Sequence, residues 1–323
     1  MTGLSDRRGP VIGSPTNQGR HTKGVRAVRR WSIAVAVLVA VLGAACGDDA
    51  TVAPPTTEGT DTSTTGEATE GPQCTPESLA VKEPGTLTVG ADSPAFPPYF
   101  VDNDPTNGEG FESAVAYAVA ERLGFSEDQV TWTVVPFNAS FAPGPKDFDF
   151  YITQVSIRPR REEAVDFSIP YYTSNQAIIA LDASPVADAT SIEELRSAKL
   201  GAQIGTTSLE YIQTTIQPEQ QPFVYDTTND AKSALEAGQV DGLVLDLPTA
   251  YFITAVEIPE ASIVGQFTLE SGGATDEWGL VMEEGSELRT CVDQALQELI
   301  DDGTLAAITE EWMSGGGEVP TLE

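Results

Sequence analysis

The chain has 323 residues, of which 17 are basic and 49 acidic, giving a formal net charge of −32, and its single histidine is His21. Such a charge repels nucleic acid and anionic lipid at long range, so neither is expected as a binding partner. With no histidine beyond residue 21, Ser-His-Asp and Cys-His catalysis are excluded from the rest of the chain. The commonest transition-metal ligand is missing there too, and no metal or cofactor is expected.

Arg20, Lys23, Arg26, Arg29 and Arg30 precede an apolar run from Ile33 to Ala45, which is followed by Cys46. The run is short for a permanent bilayer span. Its basic-then-apolar order predicts an export signal over residues 1–45, with lipid attached to Cys46 after the small residues Gly43, Ala44 and Ala45. A retained N-terminal anchor with Cys46 incidental is the competing reading. Without residues 1–45 the formal charge falls to −38. Residues 46–73 are Thr, Glu, Gly, Pro and Ala with almost no large apolar side chain, which predicts a disordered linker between the lipid and a folded part. The remaining cysteines, Cys74 and Cys291, form an even pair in an exported protein and are expected to be bridged, two buried thiols being the alternative.

From residue 87 onward, strand-like runs alternate with helical ones. Strands are predicted at Leu87–Val89, Val130–Val135, Phe148–Ile152, Gln176–Leu181, Leu200–Gln203, Phe223–Tyr225, Val240–Leu245, Ile263–Phe267 and Leu280–Met282. Phe111, Ala114, Val115, Ala118 and Val119 repeat at helical spacing, and the run stops at Gly124. Ser191-Ile192-Glu193-Glu194 has the form of a capping box. Thr228 or Asn229 can cap a helix that stops at Gly238, and Pro248 suits a first helical turn. Leu288, Cys291, Val292, Ala295, Leu296 and Leu299 form one apolar stripe, stopped by Gly303. This alternation implies an α/β fold, without deciding between one domain and two.

The stretch Thr153-Gln154-Val155-Ser156-Ile157-Arg158-Pro159-Arg160-Arg161, continuing to Tyr172, closes an apolar strand with small polar residues and then presents an arginine. A guanidinium is a two-pronged donor matched to a carboxylate, so the pattern points to capture of a small acid or amino acid. The stretch resembles the signature of the family 3 solute-binding proteins, the amino-acid-binding components of ABC importers. Leu87–Asp92 with Phe96–Tyr99, Gly110-Phe111-Glu112, Gly205-Thr206-Thr207, Val240-Asp241-Gly242 with Asp246, Trp278–Val281, and Asp302-Gly303-Thr304 to Trp312 follow in that family's order, over roughly residues 85–315.

The resemblance implies a two-lobed periplasmic-binding-protein type II fold with a ligand cleft between its lobes. Lobe I is expected from residues 74–174 and 275–315, lobe II from 175–274, and a flexible tail from 316–323. By the same resemblance Arg161 pairs with the ligand carboxylate, its competing role being one of three surface arginines with Arg158 and Arg160. Thr153, Gln154 and Ser156 supply strand-end contacts, Gln154 being larger than the small residue usual there. Thr206 and Thr207 open a helix where a carboxylate can bind, or where they merely cap it. Asp246 accepts the ligand ammonium or caps a helix. Phe96 and Phe137 are expected above and below the ligand, with Phe137 equally suited to the core. Gln203 is a candidate for hydrogen bonding to the ligand side chain, and Asp92 and Glu112 are candidates for facing a cationic one. The implied protein is a lipid-anchored monomer on the outer face of the cytoplasmic membrane, delivering a polar or basic amino acid to an ABC permease and its ATPase. An enzyme on the same fold, similar to cyclohexadienyl or arogenate dehydratases, is the alternative.

Overall fold

The computed structural model describes residues 74–268 and 276–323. The expected export signal, Cys46 and the linker to residue 73 lie outside the described residues. In chain order, β1 (Leu87–Ala91), α1 (Phe111–Arg122), β2 (Val130–Val134), the single turn α2 (Phe137–Ser140), β3 (Phe150–Tyr151), the single turn α3 (Pro159–Glu162) and β4 (Val165–Phe167) belong to lobe I. A connecting strand β5 (Tyr172–Ser174) leads into lobe II. There lie β6 (Gln176–Leu181), β7 (Leu200–Gln203), α4 (Thr207–Tyr211), β8 (Phe223–Tyr225), α5 (Thr228–Glu236), β9 (Gly242–Asp246), α6 (Leu247–Phe252) and β10 (Ala261–Phe267). The chain returns through β11 (Asp276–Trp278) and completes lobe I with β12 (Val281–Glu283), α7 (Arg289–Asp301) and α8 (Thr304–Met313).

Each lobe is organised on a five-stranded sheet. Lobe I has the order β2-β1-β3-β12-β4 and lobe II the order β10-β6-β9-β7-β8. The pairs β1–β2, β1–β3, β7–β8 and β7–β9 are parallel, as helical crossovers require. β5 and β11 pair antiparallel as a two-stranded ribbon, with Asp276 opposite Ser174 and Trp278 opposite Tyr172. All nine predicted strands exist. The three that the sequence pattern did not reveal, β4, β5 and β11, are three residues each.

Burial follows composition. Leu87, Val89, Phe111, Val115, Val119, Phe150, Trp278, Val292 and Leu296 share one buried cluster in lobe I. Lobe II has aliphatic clusters on its sheet, one around Ile178, Leu200, Ile212 and Val244 and another around Ile179, Leu235, Leu243 and Ile253. Cys74 and Cys291 are disulfide-bonded, which ties the start of the described chain to α7.

Two local expectations are corrected. The capping box at Ser191 gives only a 3-10 turn, Glu193–Leu195, in which Glu194 accepts from the backbone N–H of Thr190. The cap of α5 is Thr227, whose hydroxyl accepts from Asp230 N–H at 3.1 Å, one residue before Thr228 and two before Asn229, the expected caps. The tail expected to be flexible over 316–323 is docked on lobe II instead. Leu322 is 1 % exposed within the lobe II core, and Gln266 N–H donates to Pro320 O while Leu322 N–H donates to Gln266 O. A Cβ on Gly265 would fall 2.5 Å from Leu322 Cγ, so the absence of a side chain there makes room for the docked leucine. The family resemblance ends near residue 315 and did not reach the apolar Leu322 that anchors the end.

Candidate ligand-binding site

A cavity of about 100 Å³ lies between the lobes, and all ten residues expected to bind ligand line it: Phe96, Phe137, Thr153, Gln154, Ser156 and Arg161 from lobe I, and Gln203, Thr206, Thr207 and Asp246 from lobe II. Asp92 also lines it, together with Tyr99, Thr228 and Thr249, which the sequence had not singled out.

Four groups of the lobe I wall grow from one chain segment. β3 ends at Tyr151, and Thr153, Gln154 and Ser156 occupy the turn that follows. Gln154 has φ +43°, a left-handed conformation that a side chain resists. Glu112 on α1 holds it there, accepting from Gln154 N–H at 2.7 Å and from the Gln154 side-chain amide, while Tyr171 Oη donates to the same carboxylate at 2.5 Å. Glu112 is 0 % exposed, and burial pushes its carboxyl up to about 7 against those hydrogen bonds. Glu112 therefore shapes the wall from behind and does not line the cavity.

Arg161 sits on α3 and is 9 % exposed, which removes the reading of it as a surface arginine. Its Nη1 donates to Ser156 O at 2.7 Å, and its guanidinium lies 4.5 Å from the Phe141 ring centre and 5.7 Å from that of Phe137. Phe137 thus serves both cavity and packing. Burial, then the nearby Arg158 charge, pull the Arg161 guanidinium down to about 10, which leaves it charged at neutral pH.

The lobe II wall is assembled from separate strands and helix ends. Thr206 caps α4, accepting from Leu209 N–H at 3.2 Å and donating to Gln203 O at 2.7 Å. Asp246 stands at the start of α6 but makes no side-chain cap; its Oδ1 accepts from Gln176 Nε2 at 2.6 Å. Part of its surface still meets the cavity, although protein surrounds it on most sides. Burial raises its carboxyl well above the usual range, the charge of Asp276 adds to that, and the Gln176 hydrogen bond and Arg161 oppose it.

Behind this wall is a network that sequence reasoning missed. Asp276, 0 % exposed on β11, accepts from Gln176 Nε2 at 2.6 Å and from Thr207 Oγ1 at 3.0 Å, and it is paired with Arg158. The hydroxyl of Thr207, expected with its amide to meet a carboxylate, gives its hydrogen to Asp276. No sequence signal marks Asp276, because its three partners lie 118, 100 and 69 positions away.

The lobes meet across the cavity. Arg161 Nη2 donates to Gly205 O at 2.9 Å, Tyr99 Oη and Thr249 Oγ1 are 2.9 Å apart, and Asn138 Nδ2 donates to Ile204 O at 3.3 Å. A Cβ on Gly205, at φ +79°, would collide with Asn138 Oδ1 at 1.9 Å, so close approach of the lobes here needs glycine. Lys232 on α5, held by Glu257 at 2.7 Å, places its ammonium 4.9 Å from the ring centre of Phe96.

Two-lobed architecture, an interlobe cavity and the strand-end arginine agree with the comparison of the sequence against protein families. Residues 87–315 match the model for bacterial extracellular solute-binding proteins, family 3. The chain belongs to that family. Within family 3, the L-cystine-binding protein TcyJ of Escherichia coli K12 is 28 % identical over 233 residues, covering 72 % of this chain and 84 % of the relative. An ancestral arginine-binding protein bound to glutamine is 29 % identical with a TM-score of 0.60, covering 71 % of this chain and 97 % of the solved chain. The ancestral amino acid-binding protein AncCDT-1, described as a precursor of cyclohexadienyl dehydratase, is 28 % identical with a TM-score of 0.57, covering 71 % and 95 %.

Proposed function

We propose that this protein is the amino-acid-capturing receptor of an ABC importer, held outside the cell by lipid on Cys46, and that it passes its ligand to a membrane permease and ATPase. The observation that carries the reading is that a buried arginine and a half-buried aspartate face one cavity from opposite lobes. Arg161 matches the carboxylate of a zwitterion and Asp246 its ammonium. Closure contacts such as Arg161 to Gly205 and Tyr99 to Thr249 exist only when the lobes are together, so a ligand bridging them favours the closed form.

A polar or basic side chain fits the remaining lining. After Arg161 and Asp246 have met the two ends of an amino acid, Asp92 is left as a further carboxylate on the cavity wall, raised in pKa by burial. Gln203 Oε1 accepts from Thr228 Oγ1 at 2.7 Å, which leaves its amide N–H groups as donors. The relatives noted above carry cystine in one case and glutamine in another.

Thermal-shift and calorimetric titration of the purified protein with the twenty standard amino acids and cystine is the deciding experiment. Micromolar or tighter binding of at least one is expected, and no binding across the set would end the proposal. Parallel assays for phenylpyruvate or phenylalanine release from prephenate and arogenate address the enzymatic alternative. Glu112 offers no free acid to the cavity for such chemistry, both its oxygens being engaged.

A further inference from the structure

Helix α8 ends at Met313, which packs against the lobe I core, yet the residues that follow it are held by lobe II. Tyr251 of α6 donates its hydroxyl hydrogen to Gly317 O, and its ring lies so close to Gly316 that a Cβ there would collide with it. Gln266 of β10 takes over from there. Its side-chain amide donates to Val319 O at 3.1 Å, its N–H donates to Pro320 O at 2.8 Å, and its carbonyl accepts from Leu322 N–H at 3.0 Å. Leu322 is buried in the lobe II core, and Glu323 O accepts from Ile192 N–H at 3.0 Å.

The chain therefore passes between the lobes at β5, at β11 and again after α8. Gln266 joins the last of these passages to the first, because its Oε1 accepts from Asn175 Nδ2 at 2.9 Å where β5 gives way to β6. The last passage has little slack. Only Ser314 and Gly315 stand between Met313 in lobe I and Gly316 against Tyr251, and such a span reaches about 11 Å when fully extended. Hinge opening moves one lobe away from the other as a body, so a third tether of that length bounds the movement.

We infer that residues 314–323 are a strap that limits how far the lobes open. Lobe II holds its end through Tyr251, Gln266 and Leu322, and the short span before Gly316 sets its reach. The strap keeps the two walls of the cleft near each other while the cavity is empty, whatever the ligand is. The inference therefore goes beyond ligand capture and does not rest on the amino-acid reading.

Small-angle X-ray scattering of the ligand-free full chain tests this with two variants. One stops after Ser314. The other carries about six extra Gly and Ser residues between Ser314 and Gly315, a flexible addition that leaves every lobe II contact of the tail in place. Each should raise the radius of gyration by about 1 Å, roughly 5 % of the value for a folded unit of this size. The insertion is the decisive arm, since it changes reach and nothing else. Unchanged scattering from it overturns the inference, whether or not the truncated chain folds. An increase confined to the truncation overturns it as well, because the tail would then support lobe II without restraining the hinge. A folded truncation that scatters like the wild type is equally fatal.

Discussion

The lobe I wall of the cleft takes Thr153, Gln154, Ser156 and Arg161 from nine consecutive residues, whereas the lobe II wall joins Gln176, Thr207 and Asp246 with Asp276 of the ribbon across a separation of 100 positions. In the first case, chain connectivity alone brings the groups close, and a short strand followed by a single helical turn aims them. In the second, four side chains converge only because β6, α4, β9 and β11 are packed side by side. One half of the site is thus a local motif and the other a product of tertiary structure. Damage to the first should act on affinity, and damage to the second on affinity and selectivity together.

The largest effect is expected from Arg161→Ala. Removing the buried guanidinium should cost amino-acid binding about 2–5 kcal/mol, roughly 30-fold to several thousand-fold. Unfolding should remain cooperative, because Arg161 contributes two hydrogen bonds to backbone carbonyls and little core. Calorimetry and urea denaturation on the same preparation separate the two readouts, and an unfolded variant with intact affinity in the folded fraction would make Arg161 structural.

Each lobe also has its own staple, which allows their stabilities to be set against each other. Replacing Cys74 and Cys291 by serine should cost lobe I about 2–5 kcal/mol. Leu322→Ala should cost lobe II about 2–3 kcal/mol, the lower part of the range for a buried leucine because the tail end adjusts easily. Hydrogen exchange read lobe by lobe should place the first loss around α7 and the second along β10. Uniform loss in both variants would mean that the lobes unfold as one unit.

Glu112 behind the lobe I wall gives a pH test. Its carboxyl titrates at about 7 in the folded protein, against 4.5 ordinarily, so the folded state holds the proton more tightly than the unfolded chain. Its contribution to stability is fully present below pH ~4.5 and disappears as pH rises through about 7, a change of about 3 kcal/mol. Glu112→Gln should lower stability overall and flatten the pH dependence of the urea midpoint between pH 5 and 7.5 (roughly the window set by those two values). An identical slope in the variant would assign the pH dependence elsewhere.

The smallest effect belongs to the closure contacts. Tyr99→Phe removes the hydrogen bond to Thr249 across the cleft and should weaken binding by about 0.5–1.5 kcal/mol, mainly through faster release. Stopped-flow release measurements check this, and an unchanged off-rate would show that the contact adds nothing to closure.

Sequence by itself determined the α/β alternation, nine of the twelve described strands, the stripe of α7 and the gathering of carboxylate-matching groups at the end of β3. Each of these depends on residues close together in the chain, where periodicity or spacing is a direct image of local geometry. The family resemblance also singled out Thr206, Thr207 and Asp246, which the structure brings to the cavity. Tertiary structure alone decided that Thr207 gives its hydrogen to Asp276, that Asp246 is steadied by Gln176, and that Leu322 fastens the tail into lobe II. Those are contacts between distant segments. Hydrogen-bond direction in particular depends on which acceptor the fold has placed beside a hydroxyl, and a residue's own chemistry leaves both directions open.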